Sequence, residues 1–380
     1  MALKIARRGE IAPFLVMEVM KAANARRLKG KDVLHLEVGQ PSTPAPRKAL
    51  EAARNGLADG VLGYTDTLGL PELRRAIANY YGDHYRVSIA PEQVVVTIGA
   101  SGAFVLAFLA VFDPGDRVGV ATPGYPAYRN ILSALGITCV DLWVGAENRY
   151  QPEIEQIAES NLQGLIIASP ANPTGTMLTG NRFAALTEFC RERKIRLISD
   201  EIYHRIAFSE SAATAIAYDP NAVVVNSFSK YFSMTGWRIG WMVLPNDLLR
   251  PIERLAQNLF ISPPTLAQLA AVMALESDEE LDTNVARYAR NRQILLNNLP
   301  QAGIDTFAPA DGAFYLYADV SGLTEDSQSC CRAMLADTGV ASTPGIDFDP
   351  KRGNSFVRFS FAGATEEMVE ATKRLREWNR

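Results

Sequence analysis

Four side chains with complementary chemistry stand in one short stretch, SFSKYFSMTGWRIG, from Ser227 to Gly240. They are the hydroxyls of Ser227 and Ser229, the amine of Lys230 and the guanidinium of Arg238. An apolar run, Ala222 to Val225, precedes them and reads as a buried strand, so the lysine comes just past a strand end. Open α/β sheets bind ligands in the crevice at that end of their strands. Hydroxyls and a guanidinium suit a phosphate, and a neighbouring amine suits a covalent bond, so the set fits a phosphorylated cofactor tethered to lysine. Alone, S-x-S-K is equally well a surface lysine in a serine-rich loop. The remaining strand ends decide between the two.

From about residue 94, short apolar runs alternate with helical patterns: Val94–Gly99, Arg117–Thr122, Ile137–Val144, Gly164–Ser169, Arg196–Asp200, Ala222–Ser227 and Gly240–Leu244. Runs apolar at almost every position, with helices between them, indicate a mostly parallel sheet covered on both faces. After Leu244 the chain reads as helical through roughly Asn298, then offers strand candidates Ala313–Ala318 and Ser355–Phe361. The predicted fold is α/β. A large domain, residues 46–277, carries a mostly parallel seven-stranded sheet flanked by helices. A smaller α+β domain comes from both chain ends, residues 1–45 with 278–380.

Polar residues gather after those strands. Gly99-Ala100-Ser101-Gly102 leads into an apolar helix expected from Ala103, and small residues at a helix start leave N–H groups free for an anion. After the fourth run comes SPANPTG, Ser169 to Gly175, whose Asn172-Pro173 bond is a candidate for the cis form. After the fifth comes DEIY, where a strand delivers Asp200 into the crevice; a buried Asp needs a cationic partner, and a protonated heterocyclic nitrogen would serve.

Composition narrows the chemistry. A formal net charge of -4 with both signs interspersed gives no nucleic-acid footprint. The apolar run Ala103 to Phe112 is too short to cross a bilayer, and Glu10 and Glu18 interrupt any signal or transit pattern, so a cytoplasmic location is expected. Cys139, Cys190, Cys330 and Cys331 show no metal-ligand spacing, and the adjacent pair is expected in the core face of a helix. His35, His84 and His204 are too few for a zinc site or a Ser-His-Asp triad to be expected. Acid–base work therefore falls to lysine, carboxylate or tyrosine.

Together these residues resemble the class I and II aminotransferases, the fold type I enzymes that use pyridoxal 5'-phosphate. The resemblance covers nearly the whole chain: EVGQPSTPAP (Glu37 to Pro46), GYTDTLGLPELRRAIANYY (Gly63 to Tyr81), the glycine turn, PGYPAY (Pro123 to Tyr128), ANPTG, SDEIY, SFSKYFSMTGWRIG, GAFY (Gly312 to Tyr315), TPG (Thr343 to Gly345) and VRFSF (Val357 to Phe361). By this resemblance Lys230 forms the internal aldimine and shuttles the proton. Asp200 keeps the pyridine nitrogen protonated, which makes the ring an electron sink. Asn172 and Tyr203 bond the ring 3'-oxygen, and Tyr125 stacks on the ring. Ser227, Ser229, Arg238 and the N–H groups of Ala100 and Ser101 hold the phosphate. Tyr64 reaches the neighbour's phosphate, which implies a homodimer with shared sites. Arg358 clamps the substrate α-carboxylate, and the Gly39 N–H approaches the same group.

The resemblance implies an aminotransferase that moves the α-amino group of an amino acid to a 2-oxo acid by a ping-pong mechanism. Two readers of acidic side chains found in some relatives are absent: Ser101 stands where they have lysine, and Asn258 where they have arginine. That disfavours a dedicated aspartate enzyme and leaves neutral, aromatic or branched donors open, with 2-oxoglutarate still open as acceptor. The alternatives are another enzyme on this scaffold, such as a carbon–sulfur β-lyase or a cyclopropane-carboxylate synthase-like enzyme, and a cofactor-sensing regulator. The regulator needs an N-terminal DNA-binding domain, for which no room is expected because the chain starts near the family's own N-terminus.

Overall fold

The structure, a computed structural model, describes residues 3–58 and 60–378. Its strands are β1 (Leu34–His35), β2 (Val94–Thr97), β3 (Arg117–Thr122), β4 (Thr138–Trp143), β5 (Gly164–Ala168), β6 (Arg196–Asp200), β7 (Val223–Ser227), β8 (Gly240–Val243), β9 (Thr306–Phe307), β10 (Tyr315–Asp319), β11 (Val340–Ala341), β12 (Thr343–Pro344) and β13 (Phe356–Ser360). Runs such as VVVT in β2 and VVVNS in β7 form strands because branched residues suit the pleat, and both are buried along their full length.

A seven-stranded sheet runs in the order β2-β8-β7-β6-β5-β3-β4. The pairs β3–β4, β3–β5, β5–β6 and β6–β7 are parallel, while β8 is antiparallel to β7 and β2. All strands except β8 therefore end at one edge. Because side chains alternate, each strand feeds two cores: Val224 and Ile167 pack on one face, Val223, Val225 and Ile166 on the other. Helices Pro71–Tyr85 and Thr265–Ala274 cover the first face; Gly99–Val111 and Asn246–Leu259 cover the second.

Both chain ends build the remainder. β12, β13, β10 and β9 form an antiparallel sheet. β1 lies parallel to β11, and the Ser360 N–H donates to the Leu36 carbonyl at 2.7 Å, which fixes the N-terminal segment beside β13. Cys330 and Cys331 are buried on the helix Ser327–Thr338, as their spacing suggested. Among the described residues no helix is long and apolar enough to cross a membrane.

Two expected boundaries move. The helix after β2 begins at Gly99, not Ala103, because Gly99 at φ +67° turns the chain straight from the strand into the helix. Gly99-Ala100-Ser101-Gly102 is thus its first turn, where N–H groups lack intrahelical acceptors. β10 begins at Tyr315, not Ala313, because Ala313 takes φ +56° and its N–H bonds the Ile206 carbonyl at 2.8 Å.

Candidate active site

A cleft of about 600 Å³ opens at the edge where the parallel strands end. Asp200 closes β6, Asn172 lies just past β5, and Lys230 lies just past β7. The glycine turn follows β2, and Arg238 stands two residues before β8. Gly39, Ala100, Ser101, Tyr125, Asn172, Asp200, Tyr203, Ser229, Lys230, Arg238 and Arg358 all line this cleft. Two expected residues do not. Ser227 is buried beneath it, its hydroxyl 2.9 Å from Ser229 Oγ and 3.2 Å from the Ile239 carbonyl. Tyr64 is 83% exposed and stands away from this chain's own cleft.

Asp200 is 4% exposed. One carboxylate oxygen accepts the Ile202 N–H at 3.1 Å and the other accepts the Tyr128 hydroxyl. Burial pushes its pKa up to about 6, against the pull of these two donors and of Lys230. The adjacent Glu201 is fully buried and pushed up to about 8, also by burial. It does not line the cleft, and Asp200 is the carboxylate that does.

Lys230 Nζ donates to the Gly39 carbonyl at 2.6 Å. Burial and then the charges of Arg358 and Arg238 pull its pKa down to about 8, with Asp200 opposing. A lysine poised there supplies a neutral amine near physiological pH.

Arg358 sits mid-strand on β13 and is 2% exposed. Its guanidinium donates to Asn172 Oδ1 at 2.8 Å, the Glu37 carbonyl at 2.5 Å and Thr343 Oγ1 at 3.3 Å. It packs between the rings of Tyr315 (4.3 Å) and Phe348 (4.7 Å). Among the described residues its hydrogen bonds go to no carboxylate, and its buried Nε lacks any acceptor. A buried guanidinium with no carboxylate in ion-pair contact, beside a cleft, can accept an incoming anion.

Space is shaped to match. A Cβ on Gly39 would fall 1.6 Å from the Tyr315 hydroxyl, and one on Gly99 would fall 2.7 Å from Arg238 Nη2. The first-turn residues Ala100 and Ser101 with Ser229 and Arg238 form a donor-rich end that fits a phosphate. Asp200 forms the acidic floor, and the Tyr125 ring forms a wall braced edge-on by Tyr128 at 5.3 Å.

Some lining residues escaped the sequence. Tyr128 lies three residues beyond Tyr125, on the first turn of the helix Pro126–Ala134, a spacing that could have paired them. Tyr315, whose hydroxyl meets that of Tyr203 at 2.7 Å, was visible only as part of GAFY. Phe14, Val16, Met17 and Met20 from the helix at Leu15–Leu28 and its entry close one side. The Glu37 carbonyl is backbone and leaves no sequence signal.

Fold and cleft together define an α/β protein whose cleft brings together Lys230, two arginines and a buried carboxylate. The chain belongs to the aminotransferase class I and II family, whose profile matches residues 31–374, and it is an aminotransferase. It is 49% identical to a valine–pyruvate aminotransferase of Mycobacterium tuberculosis over 99% of this chain and 98% of the other. An aspartate aminotransferase of Thermotoga maritima is 33% identical over 97% of each chain. The crystal structure of an aminotransferase from Mycobacterium tuberculosis superposes with a TM-score of 0.97, at 49% identity and 99% coverage of both chains. The aspartate aminotransferase of Thermus thermophilus with maleate gives 0.93 at 30% identity, covering 99% of this chain and all of the other.

Proposed function

We propose that the cofactor is pyridoxal 5'-phosphate, attached to Lys230, and that the enzyme moves an α-amino group from an amino acid to a 2-oxo acid. The observation that carries this reading is the convergence of a depressed lysine, a buried carboxylate and an unpaired buried arginine in one cleft. The donor-rich end made by Ala100, Ser101, Ser229 and Arg238 holds the phosphate, with Ser227 setting the Ser229 hydroxyl from below. Asp200 pairs with the ring nitrogen, Tyr125 stacks on the ring, and Asn172 and Tyr203 face the ring oxygen. When bound, the cofactor supplies an electron sink for the pair left at Cα.

The chain's own groups do the rest. Arg358, held by Asn172, Glu37 and Thr343, binds the α-carboxylate and fixes Cα near Lys230. Lys230 Nζ, once the donor's amine has taken its place on the cofactor, would take and hold the α-proton. Support for a two-domain enzyme, residues 46–277 against both ends, comes from the separate antiparallel sheet and the β1–β11 pair. Support for a homodimer whose Tyr64 reaches the neighbouring phosphate comes from the exposure of that ring.

Borohydride reduction of the holoenzyme followed by peptide mapping tests the assignment. The label is expected on Lys230, and a label on another lysine overturns it. Lys230→Ala is expected to keep cofactor bound without covalent attachment while losing amino transfer by orders of magnitude.

A further inference from the structure

The polar groups of the cleft leave one side of it unassigned, and that side is apolar. Phe14, Met17 and Met20 recur every third residue and, with Val16, turn toward the cleft from one stretch of chain. The Phe14 ring meets Tyr125 edge-on at 5.7 Å, so this wall touches the ring that stacks on the cofactor under the reading above. Its position is not incidental. Both carboxylate oxygens of buried Asp347 accept the first N–H groups of the helix, Leu15 at 3.1 Å and Val16 at 3.2 Å. Asp347 follows directly on the segment whose Thr343 holds Arg358. One short segment thus places the carboxylate clamp and the apolar wall relative to each other.

We propose that this wall is the side-chain subsite and that it selects amino and 2-oxo acids with uncharged, apolar side chains. The proposal rests on the assignment of Lys230, Arg238 and Arg358 given above. Those three are the only cationic side chains lining the cleft among the described residues. Arg238 and Lys230 serve the cofactor and Arg358 the α-carboxylate, so this chain has none left to offer a second carboxylate. Ser101 offers only a hydroxyl. Against Phe14, Met17 and Met20 a distal carboxylate would meet apolar groups and gain no counter-charge from this chain. Two methionines adapt to side chains of different shape, so discrimination within the apolar set is shallow.

The test follows the absorbance of bound cofactor in the holoenzyme after mixing with valine, leucine, methionine, phenylalanine, aspartate or glutamate. The apolar donors are expected to exceed both acidic ones by roughly tenfold or more in kcat/KM. Met17→Arg and Met20→Arg each place a cation on the wall and are expected to shift the ratio toward aspartate and glutamate. Calorimetry with 4-methylpentanoate and succinate gives a second readout: wild type prefers the former, and the arginine variants narrow or reverse that preference. A wild-type enzyme that turns over acidic donors as well as or better than leucine overturns the proposal. So does a ratio unmoved in both variants that still bind cofactor. If no amino acid changes the absorbance at all, the cofactor assignment itself has failed.

Discussion

At the scale of single residues, Arg358 and Asp200 carry the sharpest consequences. Removing one member of a buried charge pair costs roughly 2–5 kcal/mol, about thirty-fold to a few thousand-fold in kcat/KM. Arg358→Lys keeps the charge but loses the planar fork, so it should be impaired to a similar degree for every amino acid, whereas amines without a carboxylate should lose little. Steady-state comparison of the two substrate sets checks this; a penalty that tracks side-chain identity would mean that Arg358 reads something else. Arg358 also lowers the Lys230 pKa, to about 8. Removing the positive charge in Arg358→Gln should move the pH midpoint of cofactor attachment to the apoenzyme upward, while Arg358→Lys should leave it nearly in place. Asp200 gives a prediction of the same sign. It stands at about 6 with the Tyr128 hydroxyl holding it down against burial. Tyr128→Phe deletes that donor, so the acid limb of the half-reaction rate should shift to higher pH. An unshifted limb would show that the contact does not govern the charge on Asp200.

At the scale of elements, legibility depended on where a residue sits. Asp200 ends an apolar strand and Asn172 and Lys230 follow two others, and a parallel sheet sends such ends to one edge, so periodicity brought them to one crevice while their roles came from the resemblance. Arg358, a charge in the middle of an apolar strand, was legible through the resemblance of VRFSF. Tyr128 and the Phe14, Met17 and Met20 face were not. A tyrosine or methionine at helical spacing reads as core until the cavity beside it is seen. The start of the helix after β2 was misplaced because Gly99 at φ +67° compresses the expected loop into the first turn. The helix Leu15–Leu28 makes its own prediction. Its first N–H groups are capped from a distance by Asp347, and loss of such a cap costs about 0.5–2 kcal/mol of helix stability. Asp347→Ala should therefore speed hydrogen exchange across residues 15–28 and raise KM for the amino donor, with cofactor retention little changed. Unaltered exchange there would show that packing, not the cap, holds this wall.

At the scale of the whole molecule, the exposed apolar surface points to a second copy. Val61 is 98% exposed and Leu57, Leu62 and Tyr64 are also exposed, as are Leu259 and Ile261. Thr265 Oγ1 donates to the Gly63 carbonyl at 2.5 Å, which ties these two stretches into one region. Apolar side chains grouped this way mark an interface more often than a wetted face. If that region pairs with its counterpart, Tyr64 is carried toward the neighbour's phosphate end, and cofactor retention becomes a property of the assembly. Sedimentation at micromolar concentration is expected to show a dimer. Val61→Glu inserts a charge into the contact and should drive the protein toward monomer and weaken cofactor retention together. Tyr64→Phe removes only a hydroxyl, so it should leave the dimer intact and still loosen the cofactor. The two variants separate assembly from contact: a dimeric Val61→Glu protein would remove this region from the interface, and a Tyr64→Phe dimer that retains cofactor as tightly as wild type would remove the hydroxyl from the site.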